Sequence, residues 1–495
     1  MEPKDNLHES HDEQHRIRVE KVKKMQELGI DPWPPFKPIN ATSTDILNEF
    51  SGDESHKEYH IAGRILTSRM HGKAGFITIQ DEAGTMQLYV REDVVGQQAF
   101  AFLNDCIDIG DIIWCAGNSF KTKTGQITIK VKEFTLLSKC LYPLPEKFHG
   151  IADREIKYRQ RYLDLITSKD DKDRFIKRSH IVAAMRSFFN EHGFLEVETP
   201  MLHPIPGGAV AKPFITHHNA LGMDLYLRIA PELYLKRLVV GGLPRVYEIN
   251  RNFRNEGISI RHNPEFTMVE YYIAHHDYMF MMLFTEKLLQ HIAQTVCETT
   301  TVAFGDYHLN FAAPFERLTM QEAVARVVGC DVQDLEGEKI DAIIAQHKIH
   351  LAQKNPSWGY KLNTLFEELV ESTLIQPTFI TQFPIEVSPL SKRNAINPDF
   401  ADRFELYVAG IELSNGFSEL NNPFDQADRF HGQAQARAAG EDETHFFDAD
   451  YVHALEYGLP PTVGCGIGID RLTMFLTNAP SIRDVILFPT LRMKE

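Results

Sequence analysis

The chain has 495 residues, 43% of them hydrophobic, and a formal net charge of −16 from 68 acidic and 52 basic side chains. That length allows large cores in two or three domains, and the acidity excludes salt-driven binding to nucleic acid over a wholly basic surface, though not a local basic strip. Six cysteines without a C-x-x-C pair exclude a Cys-rich zinc module and a dense disulfide framework.

The first thirty residues lack the apolar stretch of a signal peptide, and no apolar run approaches the roughly 18 residues of a membrane span. The expectation is a cytoplasmic protein with no membrane partner. From His15 to Leu28, HRIRVEKVKKMQEL has helical spacing. Its lysines and arginines fit a surface lying along phosphates and a solvated helix face equally well. The prolines of DPWPPFKP then end the helix.

Between His60 and Ser138 come short alternating segments punctuated by glycines: YHIAGRILTSRM, GFITIQD, MQLYV, DIIWCAGNSF and GQITIKVKEFTLLS. Five strands in under a hundred residues predict a small β-barrel, of which the OB-fold is the common type that binds single-stranded nucleic acid. Arg64, Arg69 and Lys73 have no acid near them in sequence, and Lys121, Lys123, Lys130 and Lys132 sit in an acid-free run. Phe76 offers a face for base stacking, or simply a core side chain. LYPLPEKFHG reads as a linker. The expected domains are 1–145, an N-terminal helix and barrel; 146–160, a linker; and 161–495, a larger α+β domain with a helical insertion around 330–375. Its strands come as hairpin-like pairs, which favours an antiparallel sheet flanked by helices.

No G-x-S-x-G, H-E-x-x-H or G-x-x-x-x-G-K-[ST] motif is present, so the chemistry calls for no side-chain nucleophile. Arginines, carboxylates and bare glycines remain, the means of positioning phosphates and a metal. PRVYEINRNF and EFTMVEYYIA read as two strands joined by a charged loop from Arg254 to Pro264, longer than ordinary hairpin loops. The two-residue period puts Phe266, Met268, Glu270 and Tyr272 on one face. In DRFELYVAGIELSNGFSEL, a tight turn at VAGI puts Glu405 and Glu412 on one face, where they repel unless a cation such as Mg²⁺ lies between them. Asn415, Phe417 and Glu419 have the opposite parity and join that face only if a bulge intervenes near Ser414 to Gly416. In GCGIGIDRLTMFL, Gly464, Gly466 and Gly468 leave one strand face bare, for a flat ligand or for close packing.

Together with YRQRYLDL and FLEVETPML, these elements resemble the class II aminoacyl-tRNA synthetases, most closely the bacterial lysyl-tRNA synthetases, over nearly the whole chain. The resemblance implies a catalytic antiparallel sheet, an anticodon-binding OB-fold and a homodimer built partly through the segment containing Pro200. It implies a ligase that activates L-lysine with ATP and passes it to tRNA(Lys). It assigns Arg254 and Arg471 to catalysis, and Arg254, Glu256, His262, Asn263, Phe266 and Arg471 to ATP, with Glu405 and Glu412 holding Mg²⁺. It assigns Gly208, Glu232, Arg254, Glu270, Tyr272, Asn415, Phe417 and Glu419 to lysine, and Phe76 and Gln87 to the anticodon. Gln126 stands where relatives often carry an acid, and Ser414 and Cys465 are unusual near the pocket, where tuning is expected. The rivals are a synthetase of aspartyl or asparaginyl type, disfavoured by so acidic a pocket, and a catalytically inactive RNA-binding paralogue, disfavoured by intact Arg254, Glu405, Glu412 and Arg471.

Overall fold

The computed structural model describes residues 4–145, 151, 153–351, 356–438 and 446–493, and the chain divides into two compact units, Met1–Ala152 and Asp153–Glu495. Residues 146–150, where the linker is expected, lie outside the described residues.

The first unit begins with helix α1 (Lys4–Glu27), which stops before the proline-rich stretch. Five strands follow, β1 (Glu54–His71), β2 (Ala74–Gln80), β3 (Thr85–Arg91), β4 (Ile112–Lys121) and β5 (Ile127–Ser138), with α2 (Gln97–Cys106) between β3 and β4. They close a barrel in the order β1-β2-β3-β5-β4. β3 and β5 run parallel. Alternation fills the interior with Ile61, Ile77, Leu88, Ile113, Ile129 and Val131.

Part of the helix face is docked within this unit, while Arg16, Lys23 and Lys24 stay exposed. Lys21 pairs with Asp108 at 2.6 Å and Lys24 with Asp105 at 3.2 Å, while Arg18 donates to the Cys140 carbonyl at 2.9 Å. The acid-free strips are also partly filled, because folding brings distant acids to them. Glu92 stands 3.5 Å from Lys73, Glu58 stands 2.9 Å from Lys132, and Arg64 donates to the Gly110 carbonyl. Freedom from acids along a sequence does not carry over to space when strands far apart in the chain become neighbours.

The second unit is built on an eight-stranded sheet: β6 (Leu195–Glu196), β7 (Arg245–Phe253), β8 (Glu265–Ala274), β9 (Glu316–Thr319), β10 (Thr378–Pro384), β11 (Phe400–Val408), β12 (Ile411–Ser418) and β13 (Thr462–Gly468). Their spatial order is β9-β10-β11-β12-β13-β8-β7-β6, antiparallel except for the terminal pairs β9/β10 and β7/β6. Helices α3 (Lys169–Glu191) and α5 (Tyr278–Cys297) lie on one face; α4 (Glu232–Val240) and α6 (Ile469–Leu476) are placed by the site below. The covered face carries Tyr247, Val269, Tyr271, Phe404, Leu406, Cys465 and Ile467, packed on Phe188, Phe189, Met281, Phe284 and Leu288. Full burial of such a side chain contributes about 1.5 to 3 kcal/mol. Alternation therefore turns Met268, Glu270 and Tyr272 to the opposite face, which the helices leave open. Helices Met320–Val328, Lys339–His347 and Trp358–Leu369 form a satellite core beyond β10, on Leu335, Ile340, Leu362 and Phe366.

Candidate active site

The open face holds a cavity of about 490 Å³, walled by β8, β11, β12, β13 and the loop from Arg254 to Pro264. Strands β7 and β8 pair from Arg245↔Ile273 to Phe253↔Glu265, which leaves that loop to arch over the sheet. Arg254, Glu256, His262, Asn263, Phe266, Glu405, Glu412, Arg471, Gly208, Glu232, Glu270, Tyr272, Asn415 and Phe417 all line the cavity. Glu419 stands behind the wall.

One end is acidic and buried. Glu270 is held by the Tyr272 hydroxyl, which donates to its Oε2 at 3.1 Å. Burial, then repulsion from Glu232, raises the Glu270 carboxyl well above the usual carboxylate range. Glu419 is pushed up to about 8, first by burial and against the pull of Lys236. Its Oε1 is buried without a hydrogen-bond partner. A Cβ on Gly464 would meet Tyr272 Cε1 at 2.3 Å and Glu419 Oε1 at 2.4 Å, so the bare strand face makes room for these two side chains. Gly208, at φ +86°, backs the same end, and a Cβ there would strike Glu232 Cβ at 2.9 Å.

Lys236, which reading the sequence missed, lies under this end. Its Nζ donates to Glu232 Oε1 at 2.7 Å and Glu419 Oε2 at 2.8 Å, and its side chain is fully buried. Burial alone would favour the neutral amine, but the two carboxylates outweigh it and hold the ammonium well above its ordinary pKa. The available signal was the Glu232–Lys236 spacing of four on α4, Glu N-terminal to Lys.

The other end carries cations with exchangeable partners. The Arg254 guanidinium lies 5.1 Å over the Phe266 ring, with its buried Nε unpartnered; burial lowers its pKa against the pull of Glu412 and Glu256. Arg471 donates to the Glu412 carbonyl at 2.5 Å and reaches Glu412 Oε2 at 3.3 Å and His262 Nε2 at 3.3 Å. Burial, and then Arg471, lower the His262 pKa, which favours the neutral imidazole. Asp470 sets the start of α6 against β8 by accepting from the Thr267 N–H at 2.7 Å.

Between the ends, β11 and β12 meet at a two-residue turn with Ala409 at φ 51° and Gly410 at φ 68°. Tyr407 pairs with Glu412, yet Leu406 pairs with Ser414 and Glu405 with Asn415. Leu413 is therefore an extra residue, a bulge one position before the window expected from parity. The bulge brings Arg403, Glu405 and Tyr407 onto one face with Glu412, Asn415 and Phe417. Glu405 and Glu412 become diagonal neighbours. Burial raises the Glu405 pKa, Arg403 opposes, and Glu412 adds to the rise. Arg403, also unforeseen, donates to Glu405 at 2.5 Å and Asn415 at 3.2 Å. Glu371 completes an acidic group and is raised to about 7 by burial and then by Glu405. Ser414 and Cys465 meet: the thiol lies 3.0 Å from the Ser414 hydroxyl, and burial pushes it up to about 11. Cys465 packs in the core of the covered face and also borders the cavity.

On the barrel, Phe76 is exposed and stacks on Tyr89 at 4.8 Å. Gln87 accepts from the Thr128 hydroxyl at 2.8 Å. The Gln126 N–H closes the β4–β5 turn onto the Thr122 hydroxyl.

A five-stranded OB barrel together with this sheet, its arching loop and its glycine strand defines a class of protein. Residues 153–492 match the family described as tRNA synthetases class II (D, K and N), and residues 59–137 match the OB-fold nucleic acid binding domain. The chain belongs to the class II tRNA synthetase family. Within it, the chain is 52% identical over 487 residues to a lysine–tRNA ligase of Pectobacterium carotovorum, covering 97% of this chain and 96% of that one. It is 50% identical to that of Staphylococcus haemolyticus and 49% to that of Oceanobacillus iheyensis, in each case over 99% of this chain and the whole of the relative.

Proposed function

We propose that the chain is a lysine–tRNA ligase, an ATP-dependent enzyme that joins L-lysine to tRNA(Lys) by way of lysyl-adenylate. The observation that carries the choice of amino acid is the buried acidic end of the cavity, lined by Glu232, Glu270 and Tyr272, with the unpartnered Glu419 Oε1 just behind it at Gly464. An aspartyl- or asparaginyl-type site has no use for that charge. The side-chain ammonium of lysine does, since leaving one charge of a buried pair unpaired costs about 3 to 5 kcal/mol.

In this reading the α-amino group sits at Gly208 and Glu232, and the ammonium at Glu270, Tyr272 and Glu419, with Asn415 and Phe417 along the stem. Arg254 lies where it holds the α-carboxylate and the α-phosphate together. It neutralises charge as the carboxylate oxygen attacks phosphorus and pyrophosphate leaves. A carboxylate needs no general base. Phe266 takes one face of adenine and Arg471 the other, with Glu256, His262 and Asn263 along the nucleotide. In the second step a 3′-terminal ribose hydroxyl of tRNA attacks the lysyl carbonyl and AMP leaves.

Among the described residues no three His, Cys, Asp or Glu side chains stand together as a ready-made metal cage. Two carboxylates on one face, Glu405 raised partly by Glu412, suit Mg²⁺, which is bound by one or two carboxylates with substrate phosphates completing its shell. Its contribution would be to offset charge on the pyrophosphate. A homodimer is supported by exposed Leu195, Met201, Leu202, Ile205, Ile215 and Met223 around Pro200. Phe76 and Gln87 are assigned to the anticodon. Among the described residues no helix is long and apolar enough to cross a membrane, in keeping with a cytoplasmic enzyme.

The test is ATP–pyrophosphate exchange with each of the twenty amino acids. Exchange with lysine alone is expected. Exchange with aspartate or asparagine overturns the substrate, and none with any amino acid returns the chain to the inactive RNA-binding class.

A further inference from the structure

Glu419 uses one carboxylate oxygen on Lys236 at 2.8 Å and leaves the other buried and unpartnered. Lys236 is fully buried, and besides Glu232 and Glu419 its ammonium faces the rings of Tyr451 at 5.3 Å and Phe417 at 5.9 Å. Three carboxylates, Glu232 and Glu270 on the cavity wall and Glu419 behind it, thus cluster with a single internal ammonium. Burying three like charges with no cation would drive them to take up protons.

We infer that Lys236 is a positioning residue for amino-acid selection: it holds Glu419 as an anion, in one rotamer, with one oxygen free for the side-chain ammonium of the substrate. The inference rests on the lysine reading of the cavity and adds a residue to it that does not touch the substrate. Lys236 takes up enough of the acidic charge to keep the empty pocket intact. What remains, two negative charges, is matched by the two ammonium groups of lysine, the side-chain one toward Glu419 and Glu270 and the α-amino group toward Glu232. Charges facing Glu419 are Lys236 and Glu232 from α4; Tyr451 lies beside it from helix Ala449–Glu456, and Tyr272 and Glu270 from β8. Of these, Lys236 is the cation that opposes the rise caused by burial and by Glu232.

The experiment uses the full-length enzyme and compares wild type with Lys236→Gln and Lys236→Arg in lysine-dependent ATP–pyrophosphate exchange between about pH 6.5 and about pH 8.5. For Lys236→Gln, the lysine KM is expected to rise at least about thirtyfold with the ATP KM within about twofold. The bend in the pH profile of kcat/KM for lysine should move upward, because Glu419 then holds its proton at higher pH. Lys236→Arg keeps the charge and should keep the bend, with a lysine KM about fivefold raised because a planar guanidinium does not reproduce the two ammonium contacts. A folded Lys236→Gln enzyme with unchanged lysine KM and an unchanged bend overturns the inference, as does a lowered melting temperature alone. Should the glutamine variant not fold, an unmoved lysine KM in Lys236→Arg overturns it. Failure of the lysine reading itself shows differently: wild type would give no lysine-dependent exchange.

Discussion

The two ends of the cavity solve opposite problems. At the amino-acid end the charges are buried and partly paired before any ligand arrives, with Lys236 at 2.7 and 2.8 Å from two carboxylates, Tyr272 on Glu270, and Glu419 Oε1 left without a partner. At the nucleotide end, Arg254 keeps a buried Nε unpartnered and Arg471 leans on Glu412 and His262 at 3.3 Å. Groups that must reject wrong side chains are fixed in a dry environment, where a missing partner is costly. In the proposed reading the groups that meet a triphosphate keep partners that phosphate can displace, although Arg471 also donates to the Glu412 carbonyl at 2.5 Å.

The contrast can be broken most sharply at Arg254, which belongs to both ends. Arg254→Ala should lower kcat/KM in exchange by about a thousandfold or more for lysine and ATP alike, because a charge that develops in the transition state loses its counter-ion. An effect on one substrate alone would detach Arg254 from the reacting centre. Glu270→Gln should raise the lysine KM by about a hundredfold or more while the ATP KM moves little, following the loss of a buried charge partner. Equal changes in both would erase the division between the ends. Arg471→Lys, measured in the same assay, should raise the ATP KM about tenfold and leave the lysine KM near its starting value, since an ammonium neither stacks on adenine nor spans phosphate oxygens.

The pH profile sharpens the comparison. Glu419, raised to about 8, must be an anion to accept an ammonium. Burial favours its protonated form and Lys236 its anion, so kcat/KM for lysine should climb as pH rises toward 8 and then level off. The ATP KM should not follow it. The smallest effect is expected away from both ends: Phe76→Ala on the barrel should weaken tRNA several-fold in the transfer assay, roughly 1 kcal/mol for one stacked base, and leave exchange unchanged.

Much of this was legible in the residues. The two-residue period of EFTMVEYYIA announced the face shared by Met268, Glu270 and Tyr272, and the eleven-residue loop between β7 and β8 was visible as a charged interruption. The turn at Ala409–Gly410 followed from VAGI. What escaped notice depended on long-range neighbours. Lys236 meets Glu419 across 183 positions, and Glu58 meets Lys132 across 74. Neither encounter leaves a local mark. The bulge escaped for another reason: Leu413 is an ordinary strand residue, and its being supernumerary shows only once β11 and β12 are aligned. The glycines of β13 were visible, but at Gly464 the vacant space belongs to Tyr272 and Glu419, not to a flat ligand.

The bulge at Leu413 makes the hairpin a two-phase object. Glu412 is counted from the turn, and Asn415 and Phe417 are counted from one residue later, so two sets of binding groups share a face that uninterrupted alternation would deny them. Deleting Leu413 would let Ser414 follow Glu412 directly and leave a regular ladder, with Glu412, Asn415 and Phe417 still opposite Tyr407, Glu405 and Arg403; forcing the present sequence into unbroken alternation would instead send Asn415, Phe417 and Glu419 to the apolar side. A transplant of this hairpin into another scaffold must therefore keep the bulge or lose the leucine, since Leu413 held in an unbroken strand would deliver Glu412 without Asn415 and Phe417 beside it.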